Sequence, residues 1–242
     1  RIKHKLLYYV LYIMPYRKTY ARKKNYRRRF RRRKRNNIVN PSAFPVPKTL
    51  TTRLRYCERF SLNPAAGAVS ARTFQINGLY DLVPGLGGAE QPMGFDELMT
   101  FYNRYCVLSC KAMLQAHSNS SGGNTTSTVG LQGHSNQSYT PASLPWIIER
   151  GRTRWRHLGT STGGMPSATV KYGTSVRSWI GKNPKMDDTY YGTATSNPTD
   201  GIFISAYSAA ETTLDDPPDC DCVITLDFIV QFSDIKQFDR SV

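Results

Sequence analysis

Residues 220–233 read Cys-Asp-Cys-Val-Ile-Thr-Leu-Asp-Phe-Ile-Val-Gln-Phe-Ser. Cys222, Ile224, Leu226, Phe228, Val230 and Phe232 fall on one face of an extended chain. Asp221, Thr225, Asp227, Gln231 and Ser233 lie mostly on the other. A period of two belongs to a strand with one side in a core. The same alternation opens the domain. Leu50, Leu54, Tyr56, Phe60 and Leu62 occupy even positions, and Arg53, Arg55, Cys57 and Arg59 stand between them. Phe74 and Ile76 alternate within a strand expected at about 72–80. Further strands are expected near 105–116, 126–132, 146–157, 168–180 and 202–209, the second of these with the weakest signal.

One helix interrupts the series. Phe95, Leu98, Met99 and Tyr102 recur at i, i+3, i+4 and i+7, with Asp96 and Glu97 at the start and Arg104 at the end, which suits the helix dipole. Residues 117–143 form the longest polar stretch and read as a surface loop with a weak strand inside it. Eight short strands, Gly/Pro-rich connections and one short helix predict an all-β chain, a single eight-stranded jelly roll of two packed antiparallel sheets.

Outward from this domain lies Asn36–Pro47, with three prolines, and before it a run of a different kind. The protein has 242 residues and a net charge of +16. Residues 1–35 hold 16 Lys/Arg and no acid, whereas the remainder holds 17 basic and 17 acidic side chains. The chain is therefore a charge-balanced domain carrying a cationic arm. Three segments follow: an arginine-rich arm at 1–36, a proline-rich linker at 37–47 and a folded domain at 48–242.

In the arm, Arg17, Lys18, Arg22, Lys23, Lys24, Arg27, Arg28, Arg29, Arg31, Arg32, Arg33, Lys34 and Arg35 are interleaved with Tyr16, Tyr20, Tyr26 and Phe30. Like charges this dense repel, and no apolar face repeats, so in isolation the arm is expected to be disordered. Guanidinium groups pair with phosphates and aromatic rings stack on unpaired bases, a combination suited to single-stranded nucleic acid. The run also fits a nuclear-import signal. Arg53, Arg55 and Arg59, on the polar side of the first strand, are the candidate second surface for the same ligand.

Other chemistries find little footing. Five cysteines (Cys57, Cys106, Cys110, Cys220, Cys222) are too few and oddly numbered for a disulfide scaffold, and their spacing lacks the paired pattern of a zinc site. Reduced, mostly buried thiols are expected. Gly181-Lys182-Asn183 and the Gly85–Glu90 run fail the phosphate-loop and dinucleotide patterns, and no Ser sits in a nucleophile elbow. The chain is read as a non-enzyme without metal or cofactor. An acidic turn, Asp215, Asp216, Asp219 and Asp221, has the carboxylates to gather a divalent ion for nuclease chemistry, but it reads as a solvated hairpin tip. Sequons at Asn119, Asn124 and Asn136 are read as chance matches in a Ser/Thr-rich loop. Leu6–Met14 is far shorter than a membrane span, so no membrane insertion is expected. Met14-Pro15 resembles a natural start, which would make residues 1–13 an upstream extension.

A family resemblance is carried by several blocks: Asn77-Gly78-Leu79-Tyr80-Asp81, Gln91-Pro92-Met93-Gly94-Phe95-Asp96 and Phe101-Tyr102-Asn103-Arg104-Tyr105. Arg154-Trp155-Arg156 through Gly163-Gly164, Trp179-Ile180-Gly181, Gly192–Thr199 and Val223–Phe232 extend it over most of residues 14–240. Together they resemble the capsid proteins of circular Rep-encoding single-stranded DNA viruses, circovirus-like relatives above all. The resemblance implies a jelly-roll subunit of a small icosahedral (T=1) shell whose internal arm contacts circular single-stranded DNA. It also implies self-association, a host nuclear-import receptor, a host-cell receptor of unknown identity, and residence in the virion and the host nucleus. The competing reading is a non-viral, monomeric or dimeric nucleic-acid-binding module with a β-sandwich domain.

Overall fold

The computed structural model describes residues 46–85, 90–119, 126–159, 166–214 and 216–237. The arm and all but the last two residues of the linker lie outside them. Eight strands are present: β1 (Thr49–Leu62), β2 (Val69–Gln75), β3 (Tyr102–Ser118), β4 (Ser127–His134), β5 (Thr153–Leu158), β6 (Ser167–Ser175), β7 (Phe203–Ala210) and β8 (Cys220–Ile235). They form two four-stranded sheets in the orders β1-β8-β3-β6 and β2-β7-β4-β5.

The pairing has a simple rule. β1 lies antiparallel to β8, β2 to β7, β3 to β6 and β4 to β5. The domain is thus one long antiparallel double strand, folded over so that alternate pairs fall in opposite sheets. Joining β8 to β3 and β7 to β4 completes each sheet. This is the jelly roll read from the alternating strands.

The period-two faces meet in the middle. Leu54, Phe60, Leu226 and Phe228 of the first sheet share one core with Phe74, Val129, Leu131 and Ile204 of the second. Phe60 and Phe74 bridge the sheets with ring centroids 5.6 Å apart. Ile224, Leu226, Phe228, Val230 and Phe232 are each 0% exposed. The two most regular stretches of sequence therefore place β1 and β8 side by side over fourteen paired residues.

Three expectations need correction. First, three α-helices occur among the described residues where one was expected: α1 (Phe95–Met99), α2 (Leu144–Arg150) and α3 (Val176–Ile180). α1 is shorter than its periodicity, because Tyr102 and Arg104 already belong to β3. The strand expected at 146–157 begins with α2: Pro145 occupies the first turn, Ile147 is its buried residue, and Gly151 at φ 72 ends it. The strand expected at 168–180 stops at Ser175, whose side chain caps α3 by accepting from Ser178 N–H.

Second, the strand expected at 72–80 runs from Val69 to Gln75, and residues 77–81 turn away from the sheet. Third, the supposed weak strand inside the polar stretch is β4, with all eight residues buried. It lies between β7 and β5, and α2 covers the sheet on this side, where Ile147 packs on Tyr207 and Ala209. A Cβ on Gly130 would sit 2.5 Å from the Tyr207 hydroxyl, so only glycine permits that close approach.

Candidate nucleic-acid interface

The arm residues Arg17 to Arg35 lie outside the described residues, so the structure positions only the candidate arginines of β1. β1 is the edge strand of its sheet, and its odd-numbered side chains point away from the core. Arg53, Arg55 and Arg59 are all exposed on that face, as the alternation predicts.

Their surroundings differ. Arg55 faces Asp227 of β8 and donates twice to its carboxylate, from Nε at 2.7 Å and Nη2 at 3.2 Å. Asp227 in turn holds the Arg55 guanidinium above its usual pKa, through this hydrogen bond and its charge. Arg59 reaches diagonally to Asp221 at 3.5 Å. Arg53 stands opposite Ile229. Exposed pairs of this kind are weak because solvent screens them, so a phosphate can replace the carboxylate at small cost.

Register adds two lysines that sequence reasoning missed. Lys111 of β3 lies beside Asp227, and Lys171 of β6 lies opposite Met113. Arg55, Lys111, Met113, Lys171, Thr225 and Asp227 line a shallow depression of about 400 Å³. A neighbouring one, of about 460 Å³, is lined by Arg59, Gln115, His117, Ser167, Thr169 and Asp221. Arg53, Arg55, Arg59, Lys111 and Lys171 thus share a face with two carboxylates, Asp221 and Asp227. The signal for both lysines was their odd-numbered place between core residues, Lys111 between Cys110 and Ala112, Lys171 between Val170 and Tyr172.

Asp215 lies outside the described residues, and Asp221 is engaged with Arg59. Among the described residues no group of three or more His, Cys, Asp or Glu is arranged to hold a metal ion. All five cysteines are free, four of them buried and Cys57 exposed. Burial raises the Cys106 thiol to about 11 and Cys222 to about 12, values that keep both protonated and unreactive at neutral pH. Asn136 accepts from Ser138 N–H in a tight turn, and Asn124 lies outside the described residues. Among the described residues no helix is long and apolar enough to cross a membrane.

The residues that carried the family resemblance converge inside the fold. Asn197, in the Gly192–Thr199 block, accepts from Tyr80 N–H at 2.9 Å and from the Tyr105 hydroxyl at 3.1 Å. It donates to the Asp81 carbonyl at 2.6 Å and to Gln75 Oε1 at 2.8 Å. Tyr105 also accepts from Leu79 N–H at 2.9 Å, and Phe95 meets its ring edge-on at 5.2 Å. Three separate sequence blocks are therefore one partly buried polar junction that ties the turn after β2 to β3.

No protein-family profile matches the chain, and no curated protein matches it. Among solved structures it is similar to the Desmodium yellow mottle tymovirus protein, at 15% identity over 83% of this chain and 98% of that one, with a TM-score of 0.39. The decameric BFDV capsid protein matches at 12% identity over 76% and 99%, with a TM-score of 0.40. A Cocksfoot mottle virus chain matches at 9% identity over 78% and 96%, with a TM-score of 0.45.

Proposed function

We propose that this chain is the shell-forming subunit of a small icosahedral virus particle that packages circular single-stranded DNA through its basic arm. The observation that carries the reading is the division of labour in one chain. A charge-balanced jelly roll follows an arm of 16 basic residues without one acid. A soluble binding module would need only the arm. A shell subunit needs both parts, a rigid wedge for neighbours and a cationic segment for the polyanion. About sixty copies bring roughly 960 arm charges, or about 780 without residues 1–13, enough to offset about half the phosphates of a genome near ~2,000 nucleotides.

In this reading the arm enters the nucleus as an import signal before assembly and lies inside the particle afterwards. The β1 face, with Arg53, Arg55 and Arg59, supplies part of the remaining neutralisation. The test is sedimentation velocity on nuclease-treated, full-length protein at moderate salt. A narrow, megadalton-scale boundary absorbing strongly at 260 nm supports a closed shell protecting nucleic acid. A boundary near the 27.3 kDa of one chain, unchanged by concentration or by added single-stranded DNA, favours the non-viral binding module.

A further inference from the structure

β5 breaks the rule that core-facing positions are apolar. In register, Arg154 stands opposite Leu131 and Arg156 opposite Val129. Leu131 and Val129 are both fully buried in the core between the sheets. Arg154 and Arg156 therefore project from the core side of their sheet, yet both are exposed. They can be so because β5 is the edge strand, and its neighbour across the open side of the sandwich is β6, the edge of the other sheet. Charge at an inward position of an edge strand is either a guard against sheet-to-sheet pairing or a binding feature.

Two further observations favour binding. The first is charge. Among the described residues neither Arg154 nor Arg156 has a carboxylate in an ion pair. Nearby Arg150 and Arg152 lie over aromatic rings instead, Arg150 over Tyr139 and Trp146, and Arg152 over Trp179 at 3.8 Å. Four guanidinium charges along residues 150–156 thus go largely uncompensated, an arrangement that a polyanion relieves.

The second is an aromatic ring at the same edge: Trp155 stands opposite Gly130, so it leaves β5 on the side away from Arg154 and Arg156 and meets Arg156 at the edge of the strand. Trp155 is 41% exposed and lines, with Arg156, His157, Ser167 and Thr169, an open cleft of about 590 Å³ between β5 and β6. Ser167 and Thr169 also line the depression that holds Arg59. The cleft and the basic face of the first sheet are therefore one continuous surface.

We infer that the β5–β6 cleft is a second site for single-stranded nucleic acid, on the folded domain itself. Arg156 at the cleft, and Arg154 two residues along the same edge, hold phosphates, Trp155 stacks on a base from the other side of that edge, and the nucleic acid continues across Ser167 and Thr169 toward Arg59. Residues two apart in a strand are about 6.6 Å from each other, a separation that an extended single strand spans between successive phosphates. An indole stacks on any base, so the site takes single strands without reading sequence. A sulfated polysaccharide would satisfy the arginines but offers no base for Trp155. The inference rests on the packaging function proposed above.

The test uses the full chain. Single-stranded DNA carrying 5-iodouracil is photo-crosslinked to the protein and the adducts are mapped by mass spectrometry. Adducts are expected on Trp155 as well as on the arm aromatics. The Arg154→Gln/Arg156→Gln variant is expected to lose the Trp155 adduct while keeping those of the arm. It should also lower the slope of log affinity against log salt by roughly 1.4, two phosphates at about 0.7 each. Trp155→Ala is expected to weaken binding roughly tenfold without changing that slope. Circular dichroism and melting of each variant establish that the fold is kept.

Adducts confined to the arm, with an unchanged slope, overturn this inference and leave the packaging reading standing. Failure of the whole chain to bind the DNA overturns both. An Arg154/Arg156 variant that loses dextran sulfate binding but keeps DNA binding assigns the cleft to a polysaccharide and overturns it too. So does a variant whose sole defect is aggregation, which identifies the arginines as an edge guard.

Discussion

At the scale of single residues, buried polar groups set the tolerance of this fold. Tyr105 is 0% exposed, and its hydroxyl is the partner of Leu79 N–H and Asn197. Tyr105→Phe leaves the Leu79 N–H without its acceptor, which is expected to cost about 1–3 kcal/mol in urea unfolding of the protein. His134 offers a second test. Its Nδ1 faces the Asn136 carbonyl at 2.8 Å and its Nε2 faces Ser205 Oγ at 2.7 Å, so the neutral ring is satisfied as a donor and an acceptor. Burial, the largest cause, lowers its pKa to about 4. Because the unfolded chain takes up the proton near 6.5, its stabilising contribution is present above that pH and is lost as pH falls toward 4. The loss is on the order of 3 kcal/mol. Unfolding free energies at pH 7 and 5 are expected to differ less in His134→Gln than in the unmodified protein.

At the scale of elements, what was legible followed from how each strand is buried. β1 and β8 have one face in the core and one face outward, so their alternation showed. β4 has no polar face, because its sheet is covered on both sides. Its small and polar residues, among them Ser127, Thr128, Gly130 and Gln132, are buried, and the polar ones find partners in neighbouring elements. Thr128 donates to Glu211 at 2.7 Å, and Gln132 donates to the Ile147 carbonyl at 3.2 Å. Hydropathy therefore made β4 the weakest of the expected strands, inside a stretch that otherwise reads as surface loop. α2 failed for the opposite reason: Trp146, Ile147 and Ile148 resemble a strand until Pro145 and Gly151 are weighed. Ile147 is its single buried anchor on Tyr207 and Ala209. Ile147→Ala is expected to cost about 2–5 kcal/mol and to free α2 from the sheet, seen as faster amide exchange in Gln132 and its neighbours. The same logic divides the candidate interface. The arm is visible as a run of charge, whereas Lys111 and Lys171, one per strand, become a patch with Arg55 only when the sheet sets them side by side.

At the scale of the whole molecule, charge and fold are separable in sequence. Deleting residues 1–35 removes 16 positive charges and leaves a domain of 17 basic and 17 acidic side chains. The truncated protein is expected to keep its far-ultraviolet circular dichroism and to lose the bulk of its nucleic-acid content, measured as the 260/280 nm absorbance ratio. A truncated protein that still carries its nucleic acid would sink the arm's assigned role. The order of the strands has a further consequence. β8 sits in the interior of its sheet, paired on one flank with β1 and on the other with β3, although it is the last of the eight described strands. During synthesis, β1 and β3 leave the ribosome long before the strand that joins them. Until residue 235 has emerged, that sheet has no centre, and contacts of such long sequence separation form slowly. Formation of that sheet therefore waits for β8, and a nascent chain interrupted before it lacks the strand that joins β1 to β3.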